Sequence, residues 1–496
     1  STSILATIDD HEVTNDFAGG QNLATTSAAS QALYGANSGL INDSPLYENG
    51  LQAFQEFNPI RDLTYSTPGD ARTDGERKLY RANTFGSDAA TFVLDARSFR
   101  DLELPGVTNV ADQAQVGKFL TDAFDPKRTM LGKQQVADLK RDLLQSQKDG
   151  VTWKFIMVPE PIQNIGVLAA ADRFEGYAAE RTEILKYIND NKIDNVVFVS
   201  ADIHGTLVNN LTYQTAPGQA QIATSAFEIT TGSVGYSKPF GPTVAELGAA
   251  LGVITPAQKA VYDSLPTAGK DTFIKGIVDG GLQPLGYDPL GLDKNLSQAN
   301  GLINAKLLQG DYVATHVYSW TEFNIDKQTQ KLTATTYGIE PYTRAELEAN
   351  PEAIINRQPK IVSQFEVTPT RISGGAGNDT LFLGANGRGL GGDGNDRFFA
   401  GSGGNNLVSG GAAADQFWIA NAELPSATNT ILDFQIGTDV IGIQGAKSLG
   451  ISSSTIGLTQ VGADTSINFG GQTLAVLIGI QASSLTPGNA SQFVFA

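Results

Sequence analysis

The chain has 496 residues, more than one hydrophobic core usually supports, so two or more domains are expected. Its 34 basic and 52 acidic residues leave a net charge of −18, which repels nucleic-acid phosphates and anionic membrane surfaces and excludes both as general partners. Cysteine is absent, which removes disulfides, thiol nucleophiles, Cys-ligated zinc and iron–sulfur clusters, so any metal must be held by oxygen and imidazole. No apolar run approaches the length of a membrane span, and residues 1–30 lack the sections of a signal peptide. A chain starting at Ser1 reads as a processed product or a fragment.

Upstream of about residue 370, apolar β-branched stretches alternate with helical-period patterns, which predicts α/β architecture. Ile4 to Ile8 reads as a strand running into Asp9-Asp10-His11-Glu12, and Thr91 to Leu94 as a strand running into Asp95 to Asp101. Val136, Leu139, Leu143 and Leu144 mark a packing helix. Trp153 to Val158 is a buried strand, Gly176 to Asn191 a helix with Ile184, Leu185 and Ile188 on one face, and Asn195 to Ser200 the next strand, ending in Ala201-Asp202-Ile203-His204-Gly205. In open α/β sheets ligands bind beyond the carboxyl ends of the strands, so these polar ends converge on one candidate site. Residues 240–310 read as an irregular insertion with a helical piece at Thr255 to Leu265. Tyr312 to Phe323 and Leu332 to Tyr337 read as an antiparallel pair, with His316 in a strand and structural in role.

From residue 374 glycine, asparagine and aspartate take over with a period of nine: GGAGNDTLF (374–382), a short LGANGRGL, GGDGNDRFF (391–399), AGSGGNNLV (400–408) and GGAAADQFW (410–418). This matches G-G-x-G-x-D-x-U-x and resembles the calcium-binding parallel β-roll of RTX proteins, in which glycines turn tightly, aspartates and carbonyls ligate Ca²⁺ and the apolar slot points inward. That assigns Asp379, Asp396 and Asp415 as calcium ligands and Leu381, Phe398, Leu407 and Phe417 as inward residues. Asn405 replaces one aspartate and Ala413 one glycine, so only a few ions are expected. Residues 421–496 resemble the β-module that follows such repeats. Its end, Phe493-Val494-Phe495-Ala496, resembles an uncleaved type I secretion signal. The resemblance implies an extracellular protein, exported by type I machinery, whose roll folds once it meets calcium outside the cell.

Residues 1 to about 350 resemble the PhoD-like alkaline phosphatases, relatives of the calcineurin-like metallophosphoesterases. The resemblance rests on Asp9 to Asp16 (DDHEVTND), Ala53 to Pro59 (AFQEFNP), Leu79-Tyr80-Arg81, Leu94 to Asp101 (LDARSFRD), Gly176-Tyr177 with Glu180-Arg181, Ser200 to Gly205 (SADIHG) and Phe227 to Ser233. It implies a metallophosphoesterase-like α/β sandwich over 1–365, an all-β calcium-binding roll over 370–420 and the β-module over 421–496. It further implies metal ligation by Asp9 or Asp10 with Asp202 and His204, and Asn15 close by. Ca²⁺ and Fe³⁺ are the implied ions, with Arg97 or Arg100 on the phosphoryl group and His11 stabilising the transition state or protonating the leaving oxygen. Taken one at a time, an Asp–His pair is as readily a hydrogen-bonding group and each arginine a salt bridge.

Members of that family carry a substantial segment before the DDHE motif, whereas this sequence starts eight residues before it. The resemblance therefore implies an incomplete domain with an upstream ligand set outside the sequence. A longer precursor, a second chain completing the domain, or loss of activity would each account for this. The function expected is a secreted, metal-dependent phosphoester hydrolase; the alternative is an extracellular structural or adhesive protein on an inactive phosphatase scaffold. Thr231-Gly232-Ser233-Val234-Gly235 misses the spacing of a serine hydrolase, and neither a P-loop nor HExxH occurs.

Overall fold

The computed structural model describes residues 4–35, 39–235, 238–293, 297–299 and 301–496. Its first part is built on β1 (Arg81–Phe85), β2 (Ala89–Val93), β3 (Trp153–Met157), β4 (Val196–Ser200), β5 (Thr206–Tyr213), β6 (Ile222–Thr230), β7 (Asn304–Gly310), β8 (Val313–Ala314), β9 (Tyr318–Ile325), β10 (Leu332–Ile339) and β11 (Lys360–Thr368). The central sheet runs β1-β2-β3-β4-β6-β5-β8, with β2, β3, β4 and β6 parallel. A second, antiparallel sheet runs β7-β11-β10-β9.

Side chains alternate across a strand, and β3 uses this fully. Ile156 turns to the face covered by helices Lys133–Lys148 and Ala178–Asp190, among Leu139, Leu143, Ile184, Leu185 and Ile188. Trp153 and Phe155 turn to the opposite face and meet Leu332, Ala334, Phe365 and Val367 of the second sheet. The strands that lead into the candidate site are thus buried on both faces, as their apolar runs require.

Three sequence expectations change here. Ile4 to Ile8 joins no sheet, although β1 is an outer strand of the central sheet. The segment instead crosses the end of β2, where Thr7 Oγ1 donates to the Leu94 carbonyl at 2.6 Å. Residues 240–282 are helical rather than irregular: helices Phe240–Ala250, Pro256–Ser264 and Thr267–Leu282 pack Ala245, Tyr262, Ile274 and Val278 against Leu207 of β5 and Val313 of β8. A capping box between Thr255 and Gln258 starts the middle helix. His316 lies between β8 and β9, not in a strand, and its ring is held by Asp271 Oδ1 and Tyr262 Oη, each at 2.7 Å. It ties the helices to the sheet.

The second part is a coil of short strands alternating between two sheets. Its strands are β12 (Arg371–Ala376), β13 (Thr380–Leu383), β14 (Arg388–Asp393), β15 (Arg397–Ala400), β16 (Leu407–Ala412), β17 (Gln416–Asn421), β18 (Asn429–Ile431), β19 (Val440–Gln444), β20 (Gly457–Val461), β21 (Asp464–Phe469), β22 (Gln472–Leu477) and β23 (Phe493–Phe495). One sheet runs β12-β14-β16-β18-β22-β21-β20 and the other β13-β15-β17-β19-β23. Leu381, Phe398, Val408, Phe417, Ile431 and Ile441 fill the space between them, in one core that continues to Phe493.

Leu407 does not take the inward slot expected for it; it is 39% exposed while Val408 is 3% exposed. The longer turn at 401–406 shifts the repeat by one residue, which also moves the aspartate position from Asn405 to Asn406. Asn195, which precedes β4, joins the two parts. Its amide donates to the Arg371 carbonyl and its Oδ1 accepts from Thr370 N, both at 2.7 Å. Among the described residues no helix is long and apolar enough to cross a membrane.

Candidate functional site

The carboxyl ends of β2, β3 and β4 meet the N-terminal loop at a cluster of acids around two arginines. After β2, Asp95 Oδ1 accepts from the backbone N–H groups of Arg97 and Ser98, both at 2.9 Å, a turn that sends Arg97 and Arg100 inward. Gly19 N binds the Arg97 carbonyl at 2.9 Å, and a side chain at 19 would sit 2.4 Å from the Ser98 carbonyl oxygen, so only glycine lets the N-terminal loop lie this close. After β4, Asp202 and His204 both hold left-handed backbone, at φ 60° and 58°. That conformation is unfavourable for non-glycine residues and concentrates at functional sites.

Arg97 is fully buried and committed to carboxylates: Nε donates to Asp9 at 2.7 Å, Nη1 and Nη2 to Asp172 at 3.2 Å, and Nη2 also to Glu160. Arg100, equally buried, donates to Asp172 and, through Nε, to Tyr177 Oη at 3.0 Å; Tyr177 Oη in turn donates a hydrogen bond to the Asp101 carbonyl at 2.7 Å. The two guanidiniums therefore hold the acids in position and present no free fork at the surface.

One carboxylate oxygen from each of Asp9, Glu160 and Asp202 lies within 4.8 Å of the others, and Asp16, Glu103 and Asp172 form a similar group. Glu160 is fully buried, and its Oε2 has no hydrogen-bond partner. Burial, then the charges of Asp9 and Asp172, raise the Asp202 carboxyl to about 7. Burial likewise raises Asp9 in spite of Arg97. Asp172 goes the other way: burial pushes it up, but Arg100 and Arg97 hold it below the usual range. Asp9, Asp10, Glu160, Asp172 and Asp202 outnumber the two arginines, and buried negative charge of this kind calls for a further cation. An all-oxygen donor set with an orphaned buried oxygen suits a hard metal ion.

The structure brings Asp9 and Asp202 together and adds Glu160, which sequence reading missed because Pro159-Glu160-Pro161 looked like a connection. Asp10 is buried outside that group; its Oδ2 accepts from Asp16 N at 2.9 Å and closes the 10–16 turn. Asn15 is exposed and donates to Asp16. His204 is half-buried and His11 exposed. Burial, then the neighbouring His11 charge, lowers His204, while a hydrogen bond to the Lys238 backbone works in the opposite direction. Glu180 and Glu228, both within recognised motifs, are supports. Glu180 Oε1 accepts from Met130 and Leu131 N–H at 3.0 and 2.9 Å, and Glu228 Oε1 accepts from Ile162 N at 3.0 Å, holding the loop that carries Glu160.

The coil carries a second acidic feature. Along one edge Asp379, Asp396 and Asp415 form a ladder: Oδ1 of Asp396 accepts from Asp379 N, and Oδ1 of Asp415 from Asp396 N, both at 2.8 Å. The Oδ2 atoms of all three are buried without a partner. A Cβ at Gly391 would lie 2.1 Å from Asp396 Oδ2 and 2.4 Å from the Gly410 carbonyl oxygen, so glycine makes the cradle in which carboxylate and carbonyl converge. Along the other edge the equivalent groups are amides: Asn406 Oδ1 accepts from Gly387 N at 2.7 Å and Asn406 Nδ2 donates to Asn429 Oδ1 at 2.9 Å.

A family model described as "PhoD-like phosphatase" matches residues 1–265. Alkaline phosphatase D of Bacillus subtilis (strain 168) is 26% identical over 251 residues, which are 47% of this chain and 37% of that relative. The chain thus spans well under half the length of the curated relative it matches. Among solved structures, one described as "Structure of PhoD" aligns over 46% of this chain and 40% of that chain, with 25% identity and a TM-score of 0.33. The extracellular lipase LipA from Serratia marcescens aligns over 39% of this chain and 31% of that one, with 15% identity and a TM-score of 0.13.

Proposed function

The chain belongs to the PhoD-like phosphatase family, and from that premise we propose that residues 1–365 are the metal-dependent catalytic domain of a phosphoester hydrolase. The observation that carries this reading is the convergence of Asp9, Glu160 and Asp202, with Glu160 Oε2 unpartnered, at the ends of β3 and β4 inside the matched region. Asp9, Glu160 and Asp202 would hold the ion, with Asp10, Asn15 and His204 as the further ligands the family resemblance implies; Ca²⁺ and Fe³⁺ fit such oxygen-rich donors. When bound, the ion supplies Lewis acidity toward the phosphoryl oxygens. Arg97 and Arg100 orient the carboxylates and hold Asp172 below the usual range, and so act as positioning residues. His11, exposed beside His204, protonates the leaving alkoxide as the P–O bond breaks and water supplies the new oxygen.

Residues 370–420 act as a calcium-binding RTX roll through Asp379, Asp396 and Asp415, and 421–496 as its capping module. Their orphaned Oδ2 atoms support this. A roll that needs abundant calcium folds outside the cell, which fits export by type I machinery reading the segment around Phe493–Phe495 before it pairs as β23.

The test is hydrolysis of p-nitrophenyl phosphate and bis-p-nitrophenyl phosphate by the chain after chelation and after return of Ca²⁺ and Fe³⁺, beside Asp202→Asn and Glu160→Gln. Metal-restored turnover that both variants lose is expected. Turnover that survives chelation, or that both variants retain, would sink the reading.

A further inference from the structure

The outer face of one coil sheet carries a row of aromatic rings that belongs neither to the acidic cluster nor to the aspartate ladder. Across the parallel strands β13, β15, β17, β19 and β23 the register pairs Phe382 with Phe399, Phe399 with Trp418, Trp418 with Gly442 and Gly442 with Val494. Side chains alternate across a strand, so this row points away from the buried Leu381, Phe398 and Phe417. The three rings are half-buried and lie outside the apolar cores of both parts. Their centroids are 5.1 and 5.6 Å apart and their planes 14° and 9° from parallel, so they stack as a ladder. Neighbouring strands usually rotate by about 20–25°. Rings this close to parallel make the face flatter than that, able to lie against another flat face.

A Cβ at Gly442 would lie 2.4 Å from Trp418 Cδ2, so the indole covers β19 in space that only glycine leaves. The indole N–H donates to Gln416 Oε1 at 3.3 Å, which leaves no side-chain donor in the row in search of a partner. Phe399 uses both its ring faces within the ladder, and the ladder therefore turns ring edges outward, a surface suited to a second apolar layer rather than to a ligand ring stacked from solvent. The adjoining outward row, Thr380, Arg397, Gln416 and Val440, contains no acid. In a chain of net charge −18 this decides the partner: two copies repel each other in general, and this face lets them meet without bringing carboxylates together. Assemblies of identical chains most often have a twofold axis, which sets the same patch of each copy against itself. A twofold running along the row puts like ring on like ring and carries the two Arg397 side chains to opposite sides of the ladder.

We propose that two copies of this chain pair through the Phe382–Phe399–Trp418 face, ladder against ladder, in the manner of the dry sheet-to-sheet interfaces that stacked aromatics form. Sheets packed in this way lie about 10 Å apart. The interface includes no residue of the acidic cluster and does not depend on phosphoester hydrolysis.

Sedimentation velocity on the full calcium-loaded chain, over a series of protein concentrations, should show a monomer–dimer equilibrium that Phe399→Lys weakens at least tenfold. The chain has no cysteine, so single thiols can be placed without background. Phe399→Cys treated with a short bis-maleimide should give a covalent dimer. Leu407→Cys, at a 39% exposed position on the outer face of the other coil sheet, should stay monomeric under the same treatment. A chain that sediments as a monomer throughout, a dimer that Phe399→Lys retains, or cross-linking as efficient through Leu407→Cys as through Phe399→Cys overturns the proposal. Circular dichroism with calcium should find the Phe399→Lys coil folded like the parent. If that variant disturbs the coil, the two thiol variants carry the decision alone.

Discussion

The α/β part and the coil both bury carboxylates, but they neutralise them differently. Around β2, β3 and β4 the charge is met from within, by Arg97 and Arg100, or avoided, by burial that raises Glu180 and Glu228 to about 7. Along the coil's acidic edge no basic side chain among the described residues pairs with Asp379, Asp396 or Asp415; Oδ1 of Asp396 and of Asp415 takes a backbone N–H, and the Oδ2 atoms of all three have no hydrogen-bond partner. Burial, with Asp439 and Asp396 beside it, raises Asp415 to about 6. The difference separates a cluster that carries part of its counter-charge in Arg97 and Arg100 from a ladder that carries none among the described residues.

Breaking the internal counter-charge should have the largest effect. Arg97→Leu leaves Asp9, Glu160 and Asp172 without their shared partner, and chemical denaturation should find the α/β transition weakened by about 3–5 kcal/mol, with the coil's transition unmoved. Protonation gives the next effect. Glu180 and Glu228 have folded-state values of about 7 against an ordinary 4.5, so the folded state binds more protons between those values. Their contribution is complete below about pH 4.5 and is lost as pH rises through about 7, roughly 3 kcal/mol for each group by the usual conversion. Melting temperatures across that window should fall with pH, and Glu180→Gln should flatten the slope.

Asp202→Asn should lower phosphoester turnover at least about 100-fold, the upper end for loss of a group supporting a metal site, while the folded state persists. Calcium at a hundred times its dissociation constant should stabilise the coil by about 2.7 kcal/mol, and chelation should abolish this without moving the α/β transition. The smallest and sharpest test is Asn406→Asp. It replaces a satisfied amide by a carboxylate in the amide ladder, so it should destabilise the calcium-free coil by about 1–3 kcal/mol. If the metal-free coil were indifferent to that change, the contrast between the two edges would be wrong.

The parallel strands β2 to β4 were legible because they are buried on both faces and read as unbroken apolar runs ending in polar groups. Ile4 to Ile8 has the same local signature and pairs with no strand, since pairing depends on where the rest of the chain places the segment, which no local pattern reports. The repeat was legible from its glycine spacing, yet a single added residue in the 401–406 turn moved Val408 inward and Leu407 outward. With a period of two, a slip of one residue reverses every side chain. Arg97 and Arg100 were readable as cations at a strand end, but not as buried partners of Asp9, Glu160 and Asp172, because those acids lie far away along the chain.

By itself the sequence determined the change of composition near residue 370, the strand ends on which polar chemistry gathers, the acidic repeat and the family resemblance, all of which are properties of short stretches and their spacing. Only the tertiary structure decided that Glu160 joins Asp9 and Asp202, that Asp10 closes a turn instead, and that one edge of the coil is carboxylate and the other amide. Those outcomes depend on which distant groups meet once water is excluded, when an unpaired oxygen or N–H becomes costly enough to mark a site.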